Sequence, residues 1–221
     1  MVLLHGFASS FEHGWARFGW PDLLADQGRD VIPAELLGHG RSERPHEPGE
    51  YADLAAHVLA QLPDVPSDAI GFSAGAMALL QVASEHPHRF RRLVLLGLGD
   101  SVLRQAPAPI DLIAALSVTA LTGNADPVST LFRRMADSAR NDRDALIAFL
   151  EGAPLSVPEA ALAAITVPTL VIVGDRDPAA PASRLAELLP CSELVVVPGL
   201  DHVATPSDFR VIDFALAFIG A

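Results

Sequence analysis

The chain contains no lysine and only one cysteine, and each shortage excludes some partners or structural features. All 15 basic residues are arginine, against 27 aspartates and glutamates, so the formal net charge is −12. Such an acidic chain is unsuited to nucleic acids and to anionic membrane surfaces, and we predict neither as a partner. The single Cys191 excludes an internal disulfide and indicates a reducing compartment. Because it follows a proline between a predicted helix and a predicted strand, we expect Cys191 to be a small buried apolar residue.

Long apolar runs and metal-ligand motifs are also absent. Every apolar stretch is interrupted by Gly, Pro, Arg or Asp before it reaches the length of a membrane-spanning helix. The segment 1–6 lacks the basic region and the apolar length of a secretion signal, so we expect a cytoplasmic protein. No spacing of histidines or cysteines is typical of a metal site, and we predict neither a metal nor another cofactor.

Short unbroken apolar runs alternate with helical patterns through most of the chain. Half of the 221 residues are hydrophobic, which is enough for the core of one domain. Unbroken apolar runs are typical of strands that are covered on both faces, as in parallel sheets. We predict six strands, at 2–4, 30–34, 68–72, 93–96, 168–173 and 193–197. With helices between them, they predict an α/β fold with a parallel sheet.

The alternation stops between residues 99 and 165, where only helices are predicted. These helices cover 110–121, 126–139 and 142–150, and a capping box at Ser156 and Glu159 predicts a fourth. A helical segment inserted into an α/β pattern is a candidate lid. We therefore predict a single domain over 1–221 that contains a small helical lid insertion at 99–165.

The segment 69–80 carries the strongest chemical signal. Gly71, Ser73 and Gly75 form the pattern G-x-S-x-G between a predicted strand and a predicted helix. A serine hydroxyl is a weak nucleophile, so it has to be exposed beside a base. A sharp strand-to-helix turn exposes it, and glycine two residues away on either side removes clashes. A simple Gly/Ser loop has the same pattern, so partners are required elsewhere in the chain.

The position of His202 predicts the base. Functional groups in open α/β sheets collect beyond the carboxyl ends of the strands. Seven of the eight histidines lie at or before position 88, whereas His202 follows the last predicted strand. Imidazole takes and returns a proton near neutral pH. For the acid that orients it, Asp175, Asp177 and Asp100 stay open, because each follows a strand.

Five stretches together resemble the α/β-hydrolase fold superfamily, in the group of serine esterases and lipases that are similar to proline iminopeptidases. The stretches occur in the order of the family and cover nearly the whole chain outside the insertion. They lie at 3–7, 36–42, 71–75, 169–178 and 199–202.

The resemblance implies a catalytic triad of Ser73 as nucleophile, His202 as base and Asp177 as acid. It also implies an oxyanion hole formed by the backbone N–H groups of Phe7 and Ala74. The residues that would support this loop and turn are His5, Gly6, Gly71 and Gly75.

Members of the superfamily normally have two strands before the strand that leads to His-Gly. The resemblance therefore implies about six mainly parallel strands here instead of eight, with the strand at 31–34 at an edge. An uncovered edge can pair with another chain. A homodimer is therefore a hypothesis.

The implied activity is cleavage of a small-molecule ester of small to medium acyl groups through an acyl-enzyme. The same triad also serves carbon–carbon bond hydrolases, thioesterases, perhydrolases and hydroxynitrile lyases, because fold and triad do not determine the reaction. A non-enzymatic ligand receptor with a residual triad is a further alternative.

Overall fold

The centre of the fold is a parallel six-stranded sheet, which a computed structural model describes within residues 1–105, 109–119 and 126–220. The strand order is β2-β1-β3-β4-β5-β6, and each neighbouring pair is parallel. The predicted α/β fold is confirmed, and β2 lies at an edge as expected. Pairing of that edge in a homodimer stays a prediction. The strands are β1 (Val2–Leu4), β2 (Ile32–Ala34), β3 (Ser67–Phe72), β4 (Phe90–Leu96), β5 (Thr169–Gly174) and β6 (Ser192–Val197).

Both faces of the sheet are covered, which explains why the strands are apolar throughout. Neighbouring side chains of a strand point to opposite faces. Val2 and Leu4 therefore belong to one apolar cluster, while Leu3 between them belongs to another. Residues of four helices, α3, α4, α8 and α9, pack in the first cluster, and residues of α2 and α10 pack in the second. The helices are α1 (Phe11–Gly14), α2 (Trp20–Asp26), α3 (Leu54–Leu59), α4 (Ala74–Glu85), α5 (Ile110–Ser117), α6 (Pro127–Ser138), α7 (Arg143–Gly152), α8 (Glu159–Leu162), α9 (Ser183–Leu188) and α10 (Phe209–Ile219).

Three local predictions are wrong. Residues 15–27 carry apolar residues at helical spacing, which predicts one helix, but a 3₁₀ turn, Ala16–Phe18, interrupts it. Gly19, with a φ of 77°, ends that turn, and α2 begins after it. Ser156 does not cap α8, because the helix begins later, after Pro158, without a side-chain cap. Cys191 is exposed and not buried, since it lies in the turn that precedes β6.

Helices α5 to α8 lie between β4 and β5, where the insertion is predicted. A third apolar cluster under them includes Phe149 of α7 together with Phe7 and Tyr51 of the body. Asn141 ties the insertion down further, because its side chain accepts a hydrogen bond from Gly40 N and donates one to Ser9 O, both at 2.8 Å. The predicted end of the first helix, 120–121, lies outside the described residues, and the limits 99–165 and the role as a lid stay predictions. Within the described residues, no helix has the length and apolar character that crossing a membrane requires.

A buried carboxylate fastens the outer helices to the sheet. Asp68 of β3 is inaccessible to solvent and accepts hydrogen bonds from Arg29 at 2.6 Å and from Arg91 at 2.9 Å. Arg29 also donates to the carbonyl group of Ile219 at 2.6 Å. The ion pair of Arg29 and Asp68 therefore joins the segment after α2 to the start of β3, and Arg29 also holds the end of α10.

We expect Asp68→Asn to lower the free energy of unfolding by about 2–3 kcal/mol, because two guanidinium groups lose their shared buried carboxylate. Urea denaturation followed by circular dichroism measures this loss. Asp64→Asn is the matched control and is expected to leave stability unchanged, because Asp64 is fully exposed and lies 3.9 Å from Arg89. Equal losses in the two variants would contradict the structural role of Asp68.

Candidate active site

Ser73 occupies a strained turn between β3 and α4. Its φ of 52° and ψ of −116° lie in a region that side-chain-bearing residues rarely adopt. Hydrogen bonds hold this turn on both sides, since Ser73 N donates to Leu96 O and Ser73 O accepts from Met77 N, each at 2.9 Å. Such strain persists only where the surrounding structure enforces it.

The two glycines of the pattern are required by close backbone contacts. A Cβ atom at Gly71 would lie 2.7 Å from the backbone nitrogen of Ala76. A Cβ atom at Gly75 would overlap the carbonyl oxygens of Leu4 and His5. The helix can therefore start directly against the end of β1, and the hydroxyl of Ser73 stays at the edge of the sheet.

Ser73, His202 and Asp177 form a continuous hydrogen-bonded series. The Nε2 atom of His202 lies 3.0 Å from the hydroxyl oxygen of Ser73. The Nδ1 atom of the same ring lies 2.9 and 3.0 Å from the two carboxylate oxygens of Asp177. The Asp177 side chain is fully buried, whereas that of His202 is 21% exposed. Asp177 thus holds the imidazole at Nδ1, and the Nε2 atom on the opposite side of the ring faces the hydroxyl of Ser73.

The remaining aspartates near these strand ends bind backbone groups elsewhere. Asp175 accepts a hydrogen bond from Gly199 N at 2.6 Å, and Asp100 accepts one from Leu185 N at 2.8 Å. Asp201 caps the turn after it by accepting from Ala204 N at 2.9 Å. Of the three candidate acids, Asp100, Asp175 and Asp177, only Asp177 contacts His202 among the described residues.

In the described part of the chain, two backbone amides in segments that line the cavities at Ser73 have no protein partner. Among the described residues, no atom accepts a hydrogen bond from Phe7 N or from Ala74 N. Ala74 is the first residue of α4, where N–H groups have no partner inside the helix. Ala8, with a φ of 58°, turns the chain directly after Phe7.

The loop that contains Phe7 is held by a buried pair of side chains. The Nδ1 atom of His5 lies 2.8 Å from Gly6 O, and its Nε2 atom lies 2.7 Å from a carboxylate oxygen of Glu35. The same carboxylate accepts a hydrogen bond from Phe11 N at 3.2 Å. Because a peptide unit is planar and trans, fixing the Gly6 carbonyl also fixes the direction of the Phe7 N–H group.

Sequence reasoning missed Glu35. The available signal was its position directly after β2, at the same edge of the sheet as the other functional groups. Glu35 is buried, and the α-carbon of Gly40 packs so closely on its carboxylate that a side chain there would overlap it. An acidic residue that is enclosed in this way has to be matched by a partner, here His5.

A second buried histidine, His39, lies beside this pair. Burial, with a smaller contribution from the neighbouring His5, lowers the pKa of His39 to about 3. The ring stands edge-on to Phe149 with centroids 5.0 Å apart, and its Nδ1 atom donates to Leu37 O at 2.9 Å. His39 is therefore neutral at ordinary pH and serves as part of the packing.

Two cavities meet at Ser73. The smaller has a volume of about 270 Å³, and the larger, more open one has about 730 Å³. Helix α6 of the insertion contributes to both, although the sequence did not indicate which insertion residues would do so. Among the described residues, no group of three or more metal-ligating side chains is arranged to hold an ion. The residues common to both cavities are Phe7, Ser73, Leu131, Phe132, His202 and Val203.

Comparison with known proteins places similar chains among hydrolases. A family model described as "Alpha/beta hydrolase family" matches residues 1–213. A pimeloyl-[acyl-carrier protein] methyl ester esterase of Aromatoleum aromaticum is 32% identical, with 96% of this chain and 95% of that protein covered. A 2-hydroxymuconate semialdehyde hydrolase of a Pseudomonas species is 30% identical, with 80% of this chain and 70% of that protein covered.

Solved structures show the same fold. The 2-hydroxy-6-oxo-6-phenylhexa-2,4-dienoate hydrolase of a Rhodococcus species superposes with a TM-score of 0.75 at 22% identity. The superposition covers 100% of this chain and 90% of that one. At this identity the likeness supports the fold alone.

We expect the lowered pKa of His39 to make the fold sensitive to acid. His39 titrates at the ordinary 6.5 in the unfolded chain but at about 3 in the folded one. The unfolded chain therefore binds one more proton between these values, and stability present above pH 6.5 is lost as the pH falls. Between pH 7 and about pH 5 we expect a loss of about 2 kcal/mol in urea denaturation.

His39→Phe is expected to remove this part of the pH dependence, because the replacement ring has no proton to bind. The comparison is between pH 7 and pH 5 within each variant, so any constant packing cost cancels. His88→Phe is the control, because His88 is exposed. An unchanged pH dependence in His39→Phe would show that another group is responsible.

Proposed function

The chain belongs to the alpha/beta hydrolase family, and we propose that it is a serine hydrolase that cleaves carboxylic esters of small to medium acyl groups. The observation that carries the proposal is the hydrogen-bonded series from Ser73 through His202 to buried Asp177. It joins a nucleophile, a base and an orienting acid at the carboxyl edge of the sheet, next to two cavities.

In the first step, His202 Nε2 takes the proton of the Ser73 hydroxyl while the oxygen attacks the ester carbonyl. Asp177 keeps the proton of the imidazole on Nδ1, so that Nε2 is free to accept, and stabilises the imidazolium that forms. The carbonyl π electrons move to the oxygen, which becomes an oxyanion. His202 then donates its new proton to the alcohol oxygen as the carbon–oxygen bond breaks.

In the second step, water replaces the alcohol. His202 takes a proton from the water molecule, whose oxygen attacks the acyl-enzyme carbonyl. When the second tetrahedral intermediate collapses, the proton returns to the oxygen of Ser73 and the carboxylic acid leaves. The balanced reaction is ester plus water to acid plus alcohol.

The amides of Phe7 and Ala74 are proposed to bind the oxyanion. They come from two different segments, the loop after β1 and the start of α4, and each has an unused N–H group among the described residues. Loss of one such donor typically lowers the rate by about 10²–10³. His5 and Glu35 act as positioning residues in this proposal, because they hold the Gly6 carbonyl and through it the Phe7 amide.

Ester hydrolysis is preferred to other chemistry because of the methyl ester esterase, which is 32% identical across nearly all of both chains. The second candidate is carbon–carbon bond hydrolysis. The relative named for 2-hydroxymuconate semialdehyde supports it, since that compound contains no ester. Steady turnover of a methyl ester, compared with that of a dienol semialdehyde, separates the two. A residual non-enzymatic receptor would give at most a single turnover.

We expect Ser73→Ala to abolish hydrolysis of p-nitrophenyl esters, because the attacking oxygen is removed while the fold stays intact. The rate of p-nitrophenolate release and the circular dichroism spectrum measure both parts. Ser84→Ala is the matched control, since Ser84 lies at the far end of α4, where its hydroxyl donates a hydrogen bond to Gln81 O. Retained turnover in Ser73→Ala would exclude Ser73 as nucleophile.

We expect Asp177→Asn to lower kcat by about 10³–10⁴, because an amide favours the wrong imidazole tautomer and cannot stabilise the imidazolium. Asp175→Asn is the matched control two residues away. Its side-chain oxygen can still accept the hydrogen bond of Gly199 N, so kcat should stay close to that of the unmodified protein. The opposite ranking of the two variants would assign the acid to Asp175.

A further inference from the structure

The smaller cavity at Ser73 lies between two walls from distant parts of the chain. One wall is the segment 13–18, which includes the 3₁₀ turn Ala16–Phe18. The other is one face of α6, where Leu131, Arg134 and Ser138 follow each other one turn apart. Ser73 and His202 also border the cavity, so a ligand that fills it has its reacting end at the serine.

The charge of this cavity is opposite to that of the whole protein. The net charge of the chain is −12, yet no Asp or Glu lines the smaller cavity, and its two charged side chains are Arg17 and Arg134. One arginine stands on each wall. Among the described residues, no carboxylate pairs with either of them. The neighbouring Arg133, by contrast, is buried and paired with Asp137.

Apart from the arginines, the lining of the smaller cavity is mostly apolar. Phe18, Phe72 and Phe132 line it together with Met135. Arginine presents a planar set of donors that matches a carboxylate. The larger cavity suits an anion less well, because two carboxylates, Asp177 and Asp201, line it against a single arginine, Arg176. An anionic group is therefore drawn to the smaller cavity, and the more open one is left for the departing alcohol.

We propose that the smaller cavity binds an acyl chain that ends in a carboxylate, so that the preferred substrate is a half-ester of a linear dicarboxylic acid. The inference rests on the proposed ester hydrolysis at Ser73. The apolar part of the cavity holds the methylene chain, and Arg17 and Arg134 hold the far carboxylate.

The experiment compares two series of methyl esters of matched chain length, with methanol release as the readout. One series consists of monomethyl esters of linear dicarboxylic acids, and the other of methyl esters of alkanoic acids. We expect kcat/KM to be at least about tenfold higher for the best half-ester than for its neutral counterpart. The preference should shrink as salt is added, because both arginines are exposed to solvent.

Arg17→Gln and Arg134→Gln should each remove most of the preference for the half-ester, because kcat/KM falls much more for the half-ester than for the neutral ester of the same chain length. Arg41→Gln is the control, since Arg41 is exposed and lies outside both cavities. Equal rates for the two series, or equal losses on both esters in the variants, would overturn the proposal. A preference that appears only when the carboxylate is on the alcohol would overturn the assignment to the acyl side.

Failure of the proposed function gives a different result from failure of this inference. Hydrolysis that depends on Ser73 but ignores the distant charge refutes the carboxylate site alone. If neither series is hydrolysed, ester hydrolysis is refuted, and calorimetry of a monomethyl dicarboxylate with Ser73→Ala still tests the site. Binding to Ser73→Ala that is lost when Arg17→Gln and Arg134→Gln are added to it supports the carboxylate site. The absence of binding to Ser73→Ala overturns the carboxylate site.

Discussion

The close packing of α4 against the end of β1 is the contact on which the candidate site depends. Gly75 lies so near the carbonyl groups of Leu4 and His5 that no side chain fits between them. Because β1 pairs directly with β3, the loop after β1 runs beside the strained turn at Ser73. One backbone contact therefore brings the turn at Ser73 next to the loop that contains Phe7, and the packed sheet maintains the unfavourable φ of the serine.

A second close approach lets groups from the other half of the sheet reach the serine. The strand β4 lies between β3 and β5, so His202, which follows β6, has to pass over the end of β4. Gly97 stands at that end with a φ of 63°, and a Cβ atom there would lie 3.1 Å from the His202 ring. The ring of Phe72 packs nearby, with centroids 4.9 Å apart. Because Gly97 has no side chain, the imidazole of His202 has room to pack at the end of β4.

Much of the fold could be predicted because its signals are local. Apolar runs and turn residues identified all six strands, and a helix begins directly after Ser73, as the pattern indicates. The errors occurred where tertiary contacts outweigh a local pattern. Gly19 interrupts a helical periodicity, and α8 starts without the expected cap. Glu35 was missed because its partner, His5, lies thirty residues earlier in the chain, and no spacing rule connects the two.

The sequence by itself determined the alternation of strands and helices, the sharp turn at Ser73 and the position of a histidine after the last strand. These depend on side-chain periodicity and on backbone sterics within a few residues. Only the tertiary structure decided which aspartate contacts His202, that Glu35 supports the loop of Phe7, and that two arginines border the smaller cavity. Those arrangements depend on distances between loops that the sheet brings together, and such distances are not encoded in any short stretch of sequence.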